Sequence, residues 1–582
     1  MTTTHKSPII QQTTFITAYY TIYDQPFLHR TKNWRFDRFT EICQTGIQIC
    51  IFCESESLNK IQEIADCYPN VFIMDFPEGL QGTEIAKLSK SKSTYRIPHS
   101  SREGKDTIDY FILMNAKAEF VARVIEANPF HTGKFAWMDF NLSHVFCNVA
   151  ETCDYMKVLS CIQYQDPFIT FPGCWPAIHA DDEATIIDNV NWRFCGGFFI
   201  GDAESLKQFY NLYLKWYPQF LEIYGAITWE VNFWAWLEKT GEWRPTWFAA
   251  DHNDSIVKIP VDFWAIPIKI CAKQEFNTLS EIPGYYPGSI AYLYHEGRHI
   301  INIRYLNYHI LENGVYYFKG SDTIIRTKNI FAELGYQNDE VGTSSGSAGN
   351  QYTIKQIHCM TEEELGLESH ECNCMGLEDI RLFNNEGEHT VRFSANSINY
   401  SNNGRNKMIE GIYDIDNYKV KCANIIESPT DTWIEKNWVP LGDQKYIYNW
   451  NPFRIGRVNC ETKKLEIVKE MSANNIHRYM FDKFKGSSIF VNDPANQTDH
   501  LIGVVHLSEE GSPRRYYHVL VVLDKSTFEP VRISDLFYFE KRGIEFCIGF
   551  AVMEDEYHFW ISRMDRDPIL LRVKIDDLCW QK

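Results

Sequence analysis

From Thr13 to about Cys271, short β-branched or aromatic runs alternate with longer amphipathic stretches, and that alternation predicts an α/β layered unit. Phe15-Ile-Thr-Ala-Tyr19 reads as a first strand, Gly46 to Cys53 as a buried second, and Val71 to Asp75 as a third. Helical spacing runs from Ser57 to Tyr68, from Tyr110 to Ala127 and from Ala203 to Tyr224. The glycines inside the apolar run Trp192 to Gly201 suggest an interrupted strand pair. After about residue 275 the texture changes to short aromatic strands with turn residues roughly every 8 to 12 positions, which predicts an all-β second domain, sandwich or propeller. The expected domains are therefore residues 1–275 and 276–582, joined near Pro283, Gly284, Pro287 and Gly288. The polar segment Gly342 to Gly349 is expected to be a mobile surface loop.

Length agrees with this division, since 582 residues exceed one hydrophobic core and favour two large domains. Aromatic residues make up 15% of the chain, with 16 Trp and 32 Tyr, a supply from which large β cores or sugar-binding sites can be built. A formal charge of −19 disfavours nucleic acid or an anionic membrane as main partner. The 17 cysteines lie largely in apolar runs and read as small buried hydrophobes of a reducing compartment. No basic leader with an apolar core opens the sequence, and no window approaches 18 apolar residues. A soluble, cytoplasmic protein without a membrane span is expected.

Candidate chemistry begins at Phe135-Ala-Trp-Met-Asp-Phe-Asn141, an apolar run that ends in a carboxylate. Such a strand delivers Asp139 and Asn141 to the carboxyl edge of a parallel sheet, where open α/β folds bind nucleotides and metals. These oxygens suit Mg²⁺ or Mn²⁺, and His252 tilts the preference to Mn²⁺. The plainer alternative is that Asp139 caps a strand-to-loop turn. Gly196-Gly197 either lets backbone approach a sugar closely or forms a tight turn. Thr228 reads as a helix cap with Glu230 in the first turn, where the carboxylate can act as a base or complement the helix dipole.

In the second half, Glu378, Asp379 and Arg381 lie on one short strand, whose alternation would project Asp379 and Arg381 together. Glu435-Lys-Asn437, Tyr517-His518, Glu545 and Asp565 follow at intervals that suggest successive blades, although each alone reads as a solvated surface pair. The Cys372-x-Cys374 spacing is too short for the usual zinc knuckle with His358 and His370.

Phe15-Ile-Thr-Ala-Tyr-Tyr20, Lys32-Asn-Trp34, Trp137-Met-Asp-Phe140, Ser143-His144, Cys195-Gly-Gly-Phe198 and Thr228-Trp-Glu-Val-Asn232 resemble, in order, the HtrL/YibB (WlaTC-type) family of predicted glycosyltransferases from bacterial surface-glycan clusters. The resemblance spans roughly residues 13 to 255. It implies a GT-A-like, Rossmann-like fold that transfers sugar from a UDP- or GDP-sugar to a glycan or glycoconjugate acceptor, with Asp139 at the metal-and-diphosphate position. The expected donor site comprises Thr17, Tyr19, Tyr20, Lys117, Asp139, Gly196 and Gly197, with Asp139, Asn141 and His252 around the cation and Glu230 as catalytic base. Asn141 stands where many GT-A enzymes carry a second aspartate.

Residues from about 290 to 580 resemble the five-bladed β-propeller glycosidases and phosphorylases acting on β-mannosides, and related mannosyltransferases. That resemblance implies a catalytic acid at Asp379 and sugar contacts from Glu378, Arg381, Glu435, Lys436, Asn437, Tyr517, His518, Glu545 and Asp565. Ile380 replaces the proline of the family's Glu-Asp-Pro-Arg motif. The whole reads as a bifunctional carbohydrate enzyme whose propeller is a second, mannoside-active transferase; a hydrolase or phosphorylase and a noncatalytic glycan-binding module are the alternatives.

Overall fold

The first apolar run, Thr13–Tyr19 (β1), is buried along its whole length, as expected of a central strand covered on both faces. A computed structural model describes residues 13–22, 32–92, 95–101, 104–162, 164, 167–177, 184–277, 281–320, 322–337, 351–385, 387–401, 403–471 and 483–580. The segment Gly342 to Gly349 lies outside the described residues. The chain forms two compact units, Met1–Trp264 with Lys582 and Ala265–Gln581. The junction comes earlier than residue 275 because Ile266–Pro267 and Ala272–Glu275 already pair into sheets of the second unit.

In the first unit, β1 joins Ile49–Cys53 (β2), Val71–Ile73 (β3), Lys134–Met138 (β4), Ile169–Gly173 (β5), Phe198–Asp202 (β6) and Trp247–Ala249 (β7) in one sheet ordered β3-β2-β1-β4-β6-β5-β7. Strands β3, β2, β1 and β4 are parallel, whereas β6 runs antiparallel to β4 and β5. The chain steps outward from β1 to β3 and then crosses back to β4, so the order reverses between β1 and β4. Open α/β sheets form a binding crevice at such a point, outside the carboxyl ends of the strands.

Helices Lys32–Cys43 (α1), Ser55–Cys67 (α2), Glu84–Ser89 (α3), Ile108–Asn115 (α4), Lys117–Ala127 (α5), Val149–Cys161 (α6), Ala203–Tyr224 (α7) and Glu230–Lys239 (α8) complete the unit. The expected helix from Tyr110 to Ala127 is two helices that meet at Ala116, which puts Lys117 at the buried start of α5. Only Phe198–Asp202 of the expected Trp192 to Gly201 strand pair is a strand; Cys195 to Gly197 form the turn that enters it. Helix α7 has clear stops, since the Asp202 side chain accepts from Ser205 N at 2.9 Å and Gly225 ends the helix at φ 58°.

The second unit is a propeller-like succession of antiparallel sheets. Four sheets, from residues 286–359, 378–426, 439–471 and 545–574 with 272–275, each follow a four-strand antiparallel path, the first with Cys374–Met375 added beside Ile325–Gln337 in a short parallel pairing. The remaining large sheet, from residues 485–538 with 266–267, has seven strands, several of them two residues long, and includes a parallel pairing. The expected five like blades are therefore corrected to four regular blades and one irregular sheet. A separate hairpin pairs Tyr308–Ile310 with Tyr316–Phe318. No helix among the described residues is long and apolar enough to cross a membrane.

Candidate functional site

Asp139 follows β4 at the carboxyl edge of the parallel strands, as its place after an apolar run predicts. Alternation puts Trp137 and Asp139 on one face of the chain, and Trp137 Nε1 donates to Asp139 Oδ1 at 2.9 Å. The same oxygen meets Lys117 Nζ at 2.9 Å. Lys117 also reaches Glu230 Oε1 at 2.7 Å and donates to the Gly196 carbonyl at 2.8 Å. An ammonium has three protons, and these three acceptors use them all. Lys117, 1% exposed, is thus a buried clamp rather than the donor-sugar ligand expected from the sequence.

Charge follows from this geometry, because one ammonium and two carboxylates leave a net negative corner. Burial alone would depress the Lys117 pKa, but Asp139 and Glu230 outweigh it and hold the ammonium above its usual range. Burial raises the Glu230 pKa, Lys117 opposes the rise, and Asp139 adds to it. A carboxyl tuned upwards beside a cavity is the state expected of a proton-transfer group. Asp139 keeps 37% of its side chain exposed, and among the described residues its hydrogen bond and ion pair both fall on Oδ1 rather than Oδ2.

Glu230 opens α8, whose N-cap is Trp229 rather than Thr228. The Thr228 hydroxyl instead donates to the Ile187 carbonyl, and Asn232 Nδ2 donates to the carbonyls of Ile186 and Asn189. Asn115 Nδ2 bridges to the Thr228 carbonyl at 2.8 Å and ties the end of α4 to the start of α8. These contacts explain the Thr-Trp-Glu-Val-Asn run as a clamp that presents one carboxylate.

The three side chains border a cavity of about 1000 Å³ that Tyr19, Tyr20, Asn141, His252, Gly196 and Gly197 also line. Thr17 is not among its lining residues. Tyr19 packs between Phe36 and Phe140, and Tyr20 stacks on Phe120, so both rings are buried in the cavity wall rather than presented as open platforms. Arg35, Lys105, His144, Trp175 and Trp192 also line the cavity, and sequence reading gave none of them a donor-site role. His144 Nδ1 bonds the Asn141 carbonyl at 2.7 Å, and its ring lies 5.9 Å from that of His252. Among the described residues no three His, Cys, Asp or Glu side chains converge as a metal cluster.

In the second unit, a β-bulge places Asp379 and Ile380 opposite the single residue Ala395. Asp379 has φ 53°, and its carboxylate accepts from Arg304 Nη1 at 3.1 Å. Arg304 Nη2 meets Glu378 Oε2 at 3.3 Å. Tyr308 donates its hydroxyl to Asp565 Oδ2 at 2.9 Å, and Asp565 also has left-handed backbone, φ 54°. Burial raises the Asp565 pKa against the opposing pull of Arg304. Left-handed backbone at Asp565 belongs to the two-residue Met564–Asp565 hairpin turn, whereas that at Asp379 accompanies the bulge.

Other expected contacts in this unit serve the fold. The bulge breaks the alternation that would have aimed Asp379 and Arg381 together: Arg381 is fully buried and donates to the main-chain carbonyls of Asp379, Gly486 and Ser487 and to Asn437 Oδ1. Glu435 is buried beneath Thr432 and Trp438, which both donate to it. Glu545 accepts from the backbone N–H groups of Phe539, Glu540 and Lys541. His518 lies against Phe537 and Phe539, where burial pushes its pKa down to about 3. Tyr517 points to the opposite face of its strand from Tyr516, and it is Tyr516 whose hydroxyl feels Asp565 and Asp379 after burial has pushed it up to about 12. Lys436 is exposed and Asn437 has φ 63°.

A family described as "Bacterial protein of unknown function (HtrL_YibB)" matches residues 100–225, which include Lys117 and Asp139. A search of curated proteins finds no significant match. Among solved structures, a β-1,2-mannobiose phosphorylase from Listeria innocua is 13% identical over 51% of this chain and 93% of its own, with a TM-score of 0.35. A glycosyl hydrolase from Bacteroides ovatus is 9% identical over 54% and 93%, TM-score 0.29, and a mannose phosphorylase from Leishmania mexicana 10% over 51% and 86%, TM-score 0.27. At this level of likeness no activity transfers to the present chain.

Proposed function

We propose that the protein is a carbohydrate-active enzyme whose first unit transfers a sugar from a UDP- or GDP-sugar to a glycan or glycoconjugate acceptor. The observation that carries this reading is the pairing of Asp139 and Glu230 on Lys117 at the wall of a cavity where the strand order reverses. The mixed sheet supports a GT-A-like fold. A hard cation, Mg²⁺ or Mn²⁺, fits this corner because such ions commonly take one protein carboxylate together with substrate phosphates. Asp139 would hold it through Oδ2, with Asn141 and His252 on the same wall, and it would supply charge neutralisation for the departing diphosphate. Lys117 holds both carboxylates in place. Glu230 accepts the proton of the acceptor hydroxyl as that oxygen attacks the anomeric carbon, an inverting course. The full chain should release nucleotide from one member of a UDP- and GDP-sugar panel with Mn²⁺ and lose that activity with chelator. Release from none of the donors, read by mass spectrometry, would refute the assignment.

The carboxylates around Arg304 favour a second reading for the other unit: glycoside cleavage, by water or phosphate, with Asp379 as acid. Cleavage of this kind needs a proton donor beside the glycosidic oxygen and further polar groups to orient the ring. In a glycoside panel that includes β-mannobioses, Asp379→Asn should keep ligand binding and lose cleavage. An unchanged cleavage rate would remove Asp379 as the acid, and binding without any cleavage by the parent protein would leave a noncatalytic glycan-binding module as the better account.

A further inference from the structure

The hairpin of Tyr308–Ile310 and Tyr316–Phe318 belongs to none of the larger sheets. It is inserted between Arg298–Leu306 and Ile325–Gln337, which pair with each other directly and do not need it. Its register pairs Tyr308 with Phe318 and Ile310 with Tyr316, so these four side chains share one face; His309 and Tyr317 occupy the other. The first face is packed down, with Tyr308, Ile310 and Phe318 against Ile325, Ile544 and Met564. Met564 precedes Asp565, and the Tyr308 hydroxyl donates to Asp565. The tip is latched as well: Ser512 Oγ donates to the Asn313 carbonyl at 2.7 Å, and Gly314 abuts Ser512 and Pro513.

One side chain on this packed face stays uncovered. Tyr316 is 50% exposed, although its ring centroid lies 5.0 Å from that of Tyr308. Burial of the hydroxyl and the nearby Asp565 raise its pKa, against the pull of Arg514 and Arg304. A lone exposed tyrosine is ordinary on any surface. An aromatic ring pinned by its neighbours at the border of a carboxylate cluster is different, because holding it costs a ligand little conformational entropy.

We propose that Tyr316 is a sugar platform whose open face receives the C–H face of a pyranose, while the adjoining sugar of the same glycan occupies the Asp379–Asp565 cluster. The inference rests on the glycoside-active reading of this unit and deepens it: the hairpin supplies a second subsite, and the ligand is an oligosaccharide of at least two units. The hydroxyls of Tyr316 and Tyr516 offer hydrogen-bond partners at the ring edge, as sugar hydroxyls require.

The test uses the full chain with β-linked mannobiose, mannotriose and the corresponding glucose oligomers as probes, measured by calorimetry and by initial cleavage rates. Tyr316→Ala and Tyr316→Leu should each weaken disaccharide and trisaccharide binding by tenfold or more and leave monosaccharide binding unchanged. Tyr316→Phe should stay within threefold, and Tyr317→Ala, on the opposite face, should match the parent. The leucine variant keeps the bulk of the side chain and separates stacking from packing. Wild-type affinity in Tyr316→Leu, while Asp379→Asn abolishes cleavage, would overturn the platform and leave the glycoside-active reading standing. A parent protein that neither binds nor cleaves any probe would overturn both.

Discussion

Glu230 occupies the space that a side chain at position 196 would need. An ideal Cβ on Gly196 would fall within the contact radius of Glu230 Oε1 and press on Val231 as well. The Gly196 carbonyl meanwhile accepts from Lys117, so one residue both leaves room for the carboxylate and helps hold its partner. Gly196→Ala should therefore displace Glu230 from Lys117. The overpacking itself should cost about 1 to 3 kcal/mol. Chemical denaturation would show this as a lower midpoint, together with loss of donor turnover. Gly197→Ala meets softer neighbours, at 3.1 Å from Ile256 Cδ1 and 3.6 Å from Asp139 Oδ2, and should be milder on both measures.

Lys117→Met leaves Asp139 and Glu230 without their shared cation. Removing one partner of a buried ion pair typically costs about 3 to 5 kcal/mol. Glu230, already raised by burial, then loses the opposing pull of Lys117, so its folded-state pKa rises further above the unfolded one and the folded state binds that proton more tightly. Stability conferred by such protonation is present at low pH and lost as pH rises through the folded pKa. The deficit of Lys117→Met against the parent should accordingly be largest near neutrality and shrink as pH falls towards about 4.5. Denaturant midpoints measured across that range check the sign, and a deficit independent of pH would mean that the two carboxylates do not depend on Lys117.

The proposed base must be ionised to act, and burial raises the Glu230 pKa despite Lys117. Donor-consuming activity should rise with pH through a value above the ordinary glutamate pKa of about 4.3. Glu230→Gln should remove that limb and lower transfer by about 10² to 10⁴. Full transfer by the glutamine variant, with the acidic limb intact, would assign the carboxylate to structure alone.

What could be read from the sequence was local. Asp139 at the end of an apolar strand and Glu230 in the first turn of a helix follow from spacing, and both lie on the cavity. Lys117 enters the expected donor site through the family resemblance alone, and its pairing with Asp139 and Glu230 is not legible in sequence because these partners are distant and only the crossing of α5, α8 and the Cys195 to Gly197 turn joins them. The second unit shows a different limit. Alternation along a strand locates faces only while the register is regular, and the bulge at Asp379 removes that condition for Arg381. Buried acids such as Glu435 and Glu545 resemble site residues in sequence because a carboxylate that caps backbone N–H groups and one that protonates a glycoside have the same composition.

Strand parity itself gives the last test. Tyr516 and Tyr517 are adjacent, yet only Tyr516 shares a face with His506 and adjoins the carboxylates, whereas Tyr517 is fully buried opposite Leu507. Tyr516→Phe removes a hydroxyl that feels Asp565 and Asp379 and should lower glycoside cleavage by about tenfold, the scale of one hydrogen bond of about 1.4 kcal/mol. His518→Phe replaces a neutral, buried imidazole among Phe537 and Phe539 and should leave cleavage unchanged. Initial rates on the best substrate of the panel, with thermal melting as a check on folding, separate the two. Equal losses from both variants would contradict the assignment of Tyr516 to the carboxylate cluster, because His518, two residues on along the same face, lies among aromatic rings rather than beside Asp379.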